Sequence, residues 1–284
     1  MARARQKRRA APTRAKEAEE GRWTAVGRWS AGILSAVIIA AIGAVITAWV
    51  NARGPAAVDR LSGGPPIKVG HVAVDRSQHE IALGRPVTDP GERAVLRSNA
   101  SGARHDAVMA RHQAAPIEEA AVTVVLTGNR SSLRIVDIEP RILDRGPVAD
   151  GALLIYSSGG TTDTIELSAD LDTPVPRFVT AADRKTPYFR KKQIDLKRDE
   201  RVTLSLSVKG KAASYAFDLL VTVLAEDRTE QVSVKGPDGG PFRVTGLAGT
   251  YRSYYAVSPL GGWQPISNAE ACAMGRQSHK RAAC

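Results

Sequence analysis

Cysteine is almost missing from this chain of 284 residues. There are two, Cys272 and Cys284, both within the last 13 positions. That excludes a disulfide-built miniprotein and a multi-cysteine zinc module. The pair can close a short terminal loop, stiffening the tail and stabilising little else, or remain two thiols in a frayed end. Aromatic residues make up only 5% of the chain, so a core must be built mainly of Val, Leu, Ile and Ala. Catalytic signatures are missing as well: there is no G-x-S-x-G elbow, H-E-x-x-H helix, phosphate-binding glycine loop, EF-hand loop or C-x-x-C pair. The histidines His71, His79, His105 and His112 are spaced eight, 26 and seven residues apart. That spacing matches no standard metal-ligand set, so no metal and no cofactor is expected.

The chain is not short of positive charge. Forty Lys and Arg against 29 Asp and Glu give a net charge of +11. Residues 1–28 alone contribute nine basic and three acidic side chains, and residues 54–284 carry a net charge of only +4. More than half the excess therefore sits in the first tenth of the chain, and the high isoelectric point is no evidence for nucleic acid as a partner.

An apolar segment directly after the basic arm explains the position of that charge. Ser30 to Val50 is an uncharged run of 21 residues without Pro, Asn or Gln, bounded by Trp29 and Trp49 and bracketed by Arg28 and Arg53. As a helix rising 1.5 Å per residue it is roughly 30 Å long, the thickness of a bilayer core. The basic flank predicts a single pass with the N-terminus cytoplasmic and residues 54–284 extracytoplasmic. A cleaved signal sequence is the rival, against which the length of the apolar run argues. The basic arm serves either as this topology signal or as a contact to anionic headgroups. Within the span Gly32, Ala36, Ala40, Ala44 and Ala48 recur every fourth residue. They form one small-residue face that would allow two helices to approach as a weak homodimer, or they reflect composition alone.

Beyond the span the expected order is a linker and weakly patterned region at 54–118, a β-domain at 119–248 and a tail at 249–284. In the first of these, Ile67 to Val74 and Glu80 to Leu83 read as strands, residues 98–116 show no clear period, and no strong amphipathic helix is expected. From Ala120 the period becomes two. Val122, Val124 and Leu126 alternate with Thr123, Val125 and Thr127, and Val202, Leu204, Leu206 and Val208 with Thr203, Ser205 and Ser207. Tyr215, Phe217, Leu219, Val221 and Val223 share one face of a longer strand, and Val232, Val234, Phe242 and Val244 continue the pattern. Short alternating strands separated by Gly, Asn, Asp and Pro turns predict an all-β, antiparallel sandwich with one wet face per sheet.

The stretches AVTVVLTGN at Ala121–Asn129, LRIVDIEP at Leu133–Pro140, Tyr215–Thr229 and DGGPFRVTG at Asp238–Gly246 resemble a group of actinobacterial single-pass or lipid-anchored proteins. The resemblance covers about half the chain. It implies an immunoglobulin-like extracytoplasmic β-sandwich and carries no site residues across.

Two clusters are candidate contact sites. Asp183 to Arg201 holds eight basic and four acidic residues. Arg184, Lys185, Arg190, Lys191 and Lys192 there could face an anionic surface around Tyr188 and Phe189, or simply belong to a solvated loop. Tyr251, Tyr254, Tyr255 and Trp263 fall within 13 residues. They form either an aromatic contact site or a plug for one end of the sandwich. These features predict a membrane-anchored extracytoplasmic binding or protein-interaction module without catalysis, with no ligand specified by the sequence. Its expected partners are the lipid bilayer and either an anionic envelope polymer or another membrane protein. The alternative is a cell-envelope hydrolase whose site is not recognisable from sequence.

Overall fold

The computed structural model describes residues 64–275, except 77–79, 99–100, 157–165, 226–227 and 260. The basic arm, the apolar run at 30–50 with Gly32, Ala36, Ala40, Ala44 and Ala48, and Cys284 lie outside the described residues. Among the described residues no helix is long and apolar enough to cross a membrane. Strands make up 49% and helices 15% of the structure, so the described chain is mostly β, and its sheets are largely antiparallel, as the alternation predicts.

Two of the three sheets share one core. The first has the spatial order β1 (Ile67–Asp75), β4 (Glu118–Gly128), β10 (Arg201–Gly210), β7 (Glu166–Asp170), β8 (Val179–Thr180). The second runs β12 (Arg228–Val234), β11 (Ser214–Ala225), β5 (Leu133–Gly146), β9 (Ile194–Leu196), with β13 (Phe242–Thr245) pairing the first half of β11. Among the described residues, β7 and β10 are the only strands that pair in parallel within these two sheets. Register places Val122 opposite Leu206 and Val124 opposite Leu204, and all four are buried. Every second residue of β11 from Tyr215 to Val223 is buried in the same core. The predicted polar face is less uniform. Thr203 is exposed and Ser205 half-buried, whereas Ser207 is buried and donates its hydroxyl to Glu119.

The β10–β11 corner is held by one carboxylate. Asp172 accepts the Tyr215 hydroxyl at 2.6 Å and the backbone amides of Lys211 at 2.8 Å and Ala212 at 3.1 Å. Although burial opposes ionisation, these hydrogen bonds, with that from Tyr215 the largest, hold the Asp172 carboxyl below the ordinary range.

The third sheet was not predicted. Its order is β15 (Trp263–Ile266), β14 (Tyr254–Val257), β6 (Ala152–Ile155), β2 (Ile81–Leu83), β3 (Ala115–Pro116). Ile81, Leu83, Ala152 and Leu154 face one core with Tyr255 and Trp263, whereas Ala82, Leu153 and Ile155 face another. Helices α1 (Pro90–Ser98) and α2 (Ala103–Arg111) bury Leu96, Val108 and Met109 in the first of these cores. The strands expected at Ile67 to Val74 and Glu80 to Leu83 are present as β1 and β2, whereas the expectation that the rest of 54–118 is weakly patterned and without a strong helix is corrected by these two helices. The tail expected at 249–284 is corrected as well, since it carries β14, β15 and helix α4 (Asn268–Gly275). The turn entering β15 needs glycine: Gly262 has φ 76°, and an added Cβ would collide with the Arg97 carbonyl at the end of α1.

Candidate functional site

The basic segment is pinned before it is charged. Phe189, in the short helix α3 (Tyr188–Lys191), is buried in the two-sheet core, with Tyr188 set edge-on against it at 5.0 Å. The Tyr188 amide donates to the Phe178 carbonyl at 2.8 Å, tying the helix to the chain entering β8. Asp183 organises the turn ahead of it. One carboxylate oxygen accepts the Lys185 amide at 3.2 Å and the Thr186 amide at 3.1 Å; the other accepts Lys191 Nζ at 2.8 Å. The lysine hydrogen bond and then the Thr186 amide hold the Asp183 carboxyl well below the usual carboxylate range.

Between this turn and the solvent face of β7 and β10 lies a groove of about 520 Å³. Its floor is Ser168, Asp170 and Lys209. Val175, Val179 and Pro187 form apolar walls, and Arg177, Arg184 and Lys185 bring positive charge. The cations are not equivalent. Lys209 faces Glu119 at 3.8 Å, and Arg177 pairs with Glu139 and lies 3.9 Å from Asp137. Arg184 and Lys185 are exposed and make no ion pair among the described residues.

The five basic residues predicted from sequence therefore separate. Arg184 and Lys185 line the groove; Arg190, Lys191 and Lys192 are exposed on and beside α3 and do not. Lys191 is already paired to Asp183, and Lys192 lies 5.9 Å from the centre of the Tyr188 ring.

The aromatic cluster is no exposed contact site. Tyr251, Tyr255 and Trp263 are buried and Tyr254 is half-buried. Nor do they plug the end of the two-sheet core, because they pack on the third sheet: Tyr255 and Trp263 on the helix-covered face, Tyr251 and Tyr254 on the other. Cys272, in α4, is buried and disulfide-bonded.

Sequence reasoning missed two buried polar groups beneath the helices. Trp263 Nε1 donates to Nε2 of His105 at 3.1 Å, with Tyr156 edge-on to the indole at 4.6 Å. His105 is 3% exposed, and burial pushes its imidazole below the ordinary value despite Asp106. His112 places Nε2 2.7 Å from Glu92 and Nδ1 3.1 Å from the Arg85 carbonyl, while Arg111 takes the second Glu92 oxygen. The hydrogen bond from His112 holds the Glu92 carboxyl below its usual range. Both ring nitrogens of His112 and both oxygens of Glu92 are engaged, which leaves this pair no free atom for acid–base work. The available signal was spacing: His105, Val108, Met109 and His112 fall at i, i+3, i+4 and i+7. Among the described residues no group of three or more His, Cys, Asp or Glu is placed to hold a metal ion.

No family model matches the chain, and no curated protein or solved structure does either.

Proposed function

We propose that this chain is a single-pass, membrane-anchored binding module whose extracytoplasmic domain holds an anionic ligand without catalysis. The observation that carries the reading is the groove beside β8, where Arg184 and Lys185 make no ion pair among the described residues while the other two cations that line it, Arg177 and Lys209, face carboxylates. Cations held at a pinned turn raise the local concentration of an anionic polymer, and salt screens them over about 8–10 Å. The apolar run at 30–50 and its basic flank support the anchor and its orientation.

An immunoglobulin-like arrangement is part of the proposal. The order β1-β4-β10-β7 facing β12-β11-β5 corresponds to strands A-B-E-D facing G-F-C of such domains. Tyr215, at the start of the strand corresponding to F, has its hydroxyl fixed at the preceding corner. The departures are the parallel β7–β10 pair, no cysteine in β4 or β11, and no tryptophan in β5.

The test uses the full chain in neutral-lipid nanodiscs, titrated with polyphosphate at low and physiological salt. Replacing Arg184 and Lys185 with Ser is expected to remove most of the binding. The charge-matched double replacement of Arg190 and Lys192 should remove less. Equal losses in the two variants would reduce the groove to unspecific surface charge, and no binding by the parent chain would overturn the reading.

A further inference from the structure

The groove is more selective than its charge. Ser168 and Asp170 are neighbouring outward positions on β7, and Lys209 is the register partner of Asp170 on β10. One Asp170 oxygen accepts the Asp172 amide at 2.9 Å, and the carboxylate stands on the groove floor. A carboxylate there accepts hydrogen bonds from hydroxyl groups and repels a second negative charge. Ser168 adds a hydroxyl that donates and accepts. The two unpaired cations, Arg184 and Lys185, belong to the turn that borders the groove, not to its floor. Among the described residues no aromatic ring lines it, so a flat heterocycle would find only the guanidinium planes of Arg177 and Arg184 to stack on. Val175, which is 63% exposed, and Val179 instead offer small apolar surfaces suited to C–H groups.

We infer that the groove takes a phosphorylated polyol: a ligand whose single phosphate meets Arg184 and Lys185 while its hydroxyls reach Ser168 and Asp170. This rests on the anion-binding reading above and narrows it. The volume of about 520 Å³ lies inside the range of about 300–1,000 Å³ usual for small-ligand pockets. Such a ligand can be free or one unit of a polymer, and the floor chemistry is the same for both. An extended diacid fits less well, because its second charge would meet Asp170.

Calorimetric titration of the full chain in neutral nanodiscs with glycerol 3-phosphate, inorganic phosphate and succinate tests the inference. A poly(glycerol phosphate) arm separates a polymer source from a free one. Glycerol 3-phosphate is expected to bind at least fivefold more tightly than inorganic phosphate or succinate. Asp170→Asn should shrink that preference to within about twofold while leaving phosphate binding no weaker, and should let succinate bind more tightly. Replacing Arg184 and Lys185 with Ser should remove all three. If phosphate binds through Arg184 and Lys185 but glycerol 3-phosphate binds no better, the polyol inference fails and the anion-binding reading survives. A preference unchanged by Asp170→Asn also overturns the inference. If none of the anions binds, both fall.

Discussion

The two-sheet core and the third sheet solve burial differently. Strands β4, β10 and β11 hide one face and leave the other wetter, so apolar and polar residues alternate along them. Strands β2 and β6 are covered on both faces, by the helices on one side and by Tyr251 and Ala271 on the other. Every residue of IAL and ALLI is buried, and no alternation remains. The larger core is thus made of long strands, each interpretable alone, whereas the third sheet is made of short pieces that acquire meaning only beside each other.

The largest effects that would sharpen this contrast come from removing one aromatic on each side of it. Phe217→Ala in β11 and Trp263→Ala in β15 each delete a fully buried ring and should each destabilise by about 3–5 kcal/mol. Their footprints should differ. Hydrogen exchange mapped along the chain is expected to rise across β4, β10 and β11 for Phe217→Ala, and mainly in 81–116 and 254–275 for Trp263→Ala. Identical footprints would show that the two regions unfold as one unit.

Acid should separate the regions more gently. His105 accepts from Trp263, which requires an unprotonated Nε2; protonation would set two donors against each other. Asp106 and Arg76 are the other titratable groups that act on it, and Asp106 partly opposes the effect of burial. The folded-state pKa lies below the ordinary 6.5, so the unfolded chain binds more protons in that window and stability rises with pH. Stability is therefore complete above about pH 6.5 and declines as pH falls toward the lowered folded value. Protection against exchange in α2 and β15, corrected for the intrinsic pH dependence of the amides, should fall between pH 7 and 5, and His105→Gln should flatten that dependence. A flat response in the parent chain would refute the neutral His105 assignment. Glu92 acts in the same direction at lower pH, since its carboxyl is held ionised by His112 and Arg111.

The smallest expected effect tests the wet side of the two-sheet core. Ser205, half-buried between buried Leu204 and Leu206, should tolerate Ala within about 0.5 kcal/mol. Chemical denaturation would show this directly. A loss as large as that expected for Leu204→Ala, about 2–5 kcal/mol, would mean that the outer face of β10 is a packed face as well.

These differences explain what the sequence allows. The alternation from Val122 to Leu126, from Leu204 to Val208 and along β11 survives because water on one face demands polar residues there. Helix α2 escapes because two of the four buried positions at 105, 108, 109 and 112 are histidines, which a purely apolar template scores as breaks, and α1 because it buries only Glu92 and Leu96. Phe189 as an anchor is visible in the chain, but the groove is not. Ser168, Asp170, Val175 and Arg184 come together only through the pairing of β7 with β10 and β8 and the turn built on Asp183. Which of the five basic residues lacks a counter-ion depends on that turn as well. Arg184 and Lys191 look alike in sequence and differ only in the reach of one aspartate.

The middle position of β6 has a consequence for synthesis. Its neighbours are β2, about seventy residues earlier, and β14, about a hundred residues later. While the chain emerges from the ribosome, the β6 edge that will receive β14 has no strand to pair with until Tyr254 has been made. At about 5–20 residues per second that interval lasts roughly 5–20 seconds. Throughout it an edge reading ALLI, apolar on both faces, is a template for pairing with another chain. A nascent or truncated chain ending before residue 254 keeps that edge open, and any such fragment carries an adhesive surface that the finished protein has closed.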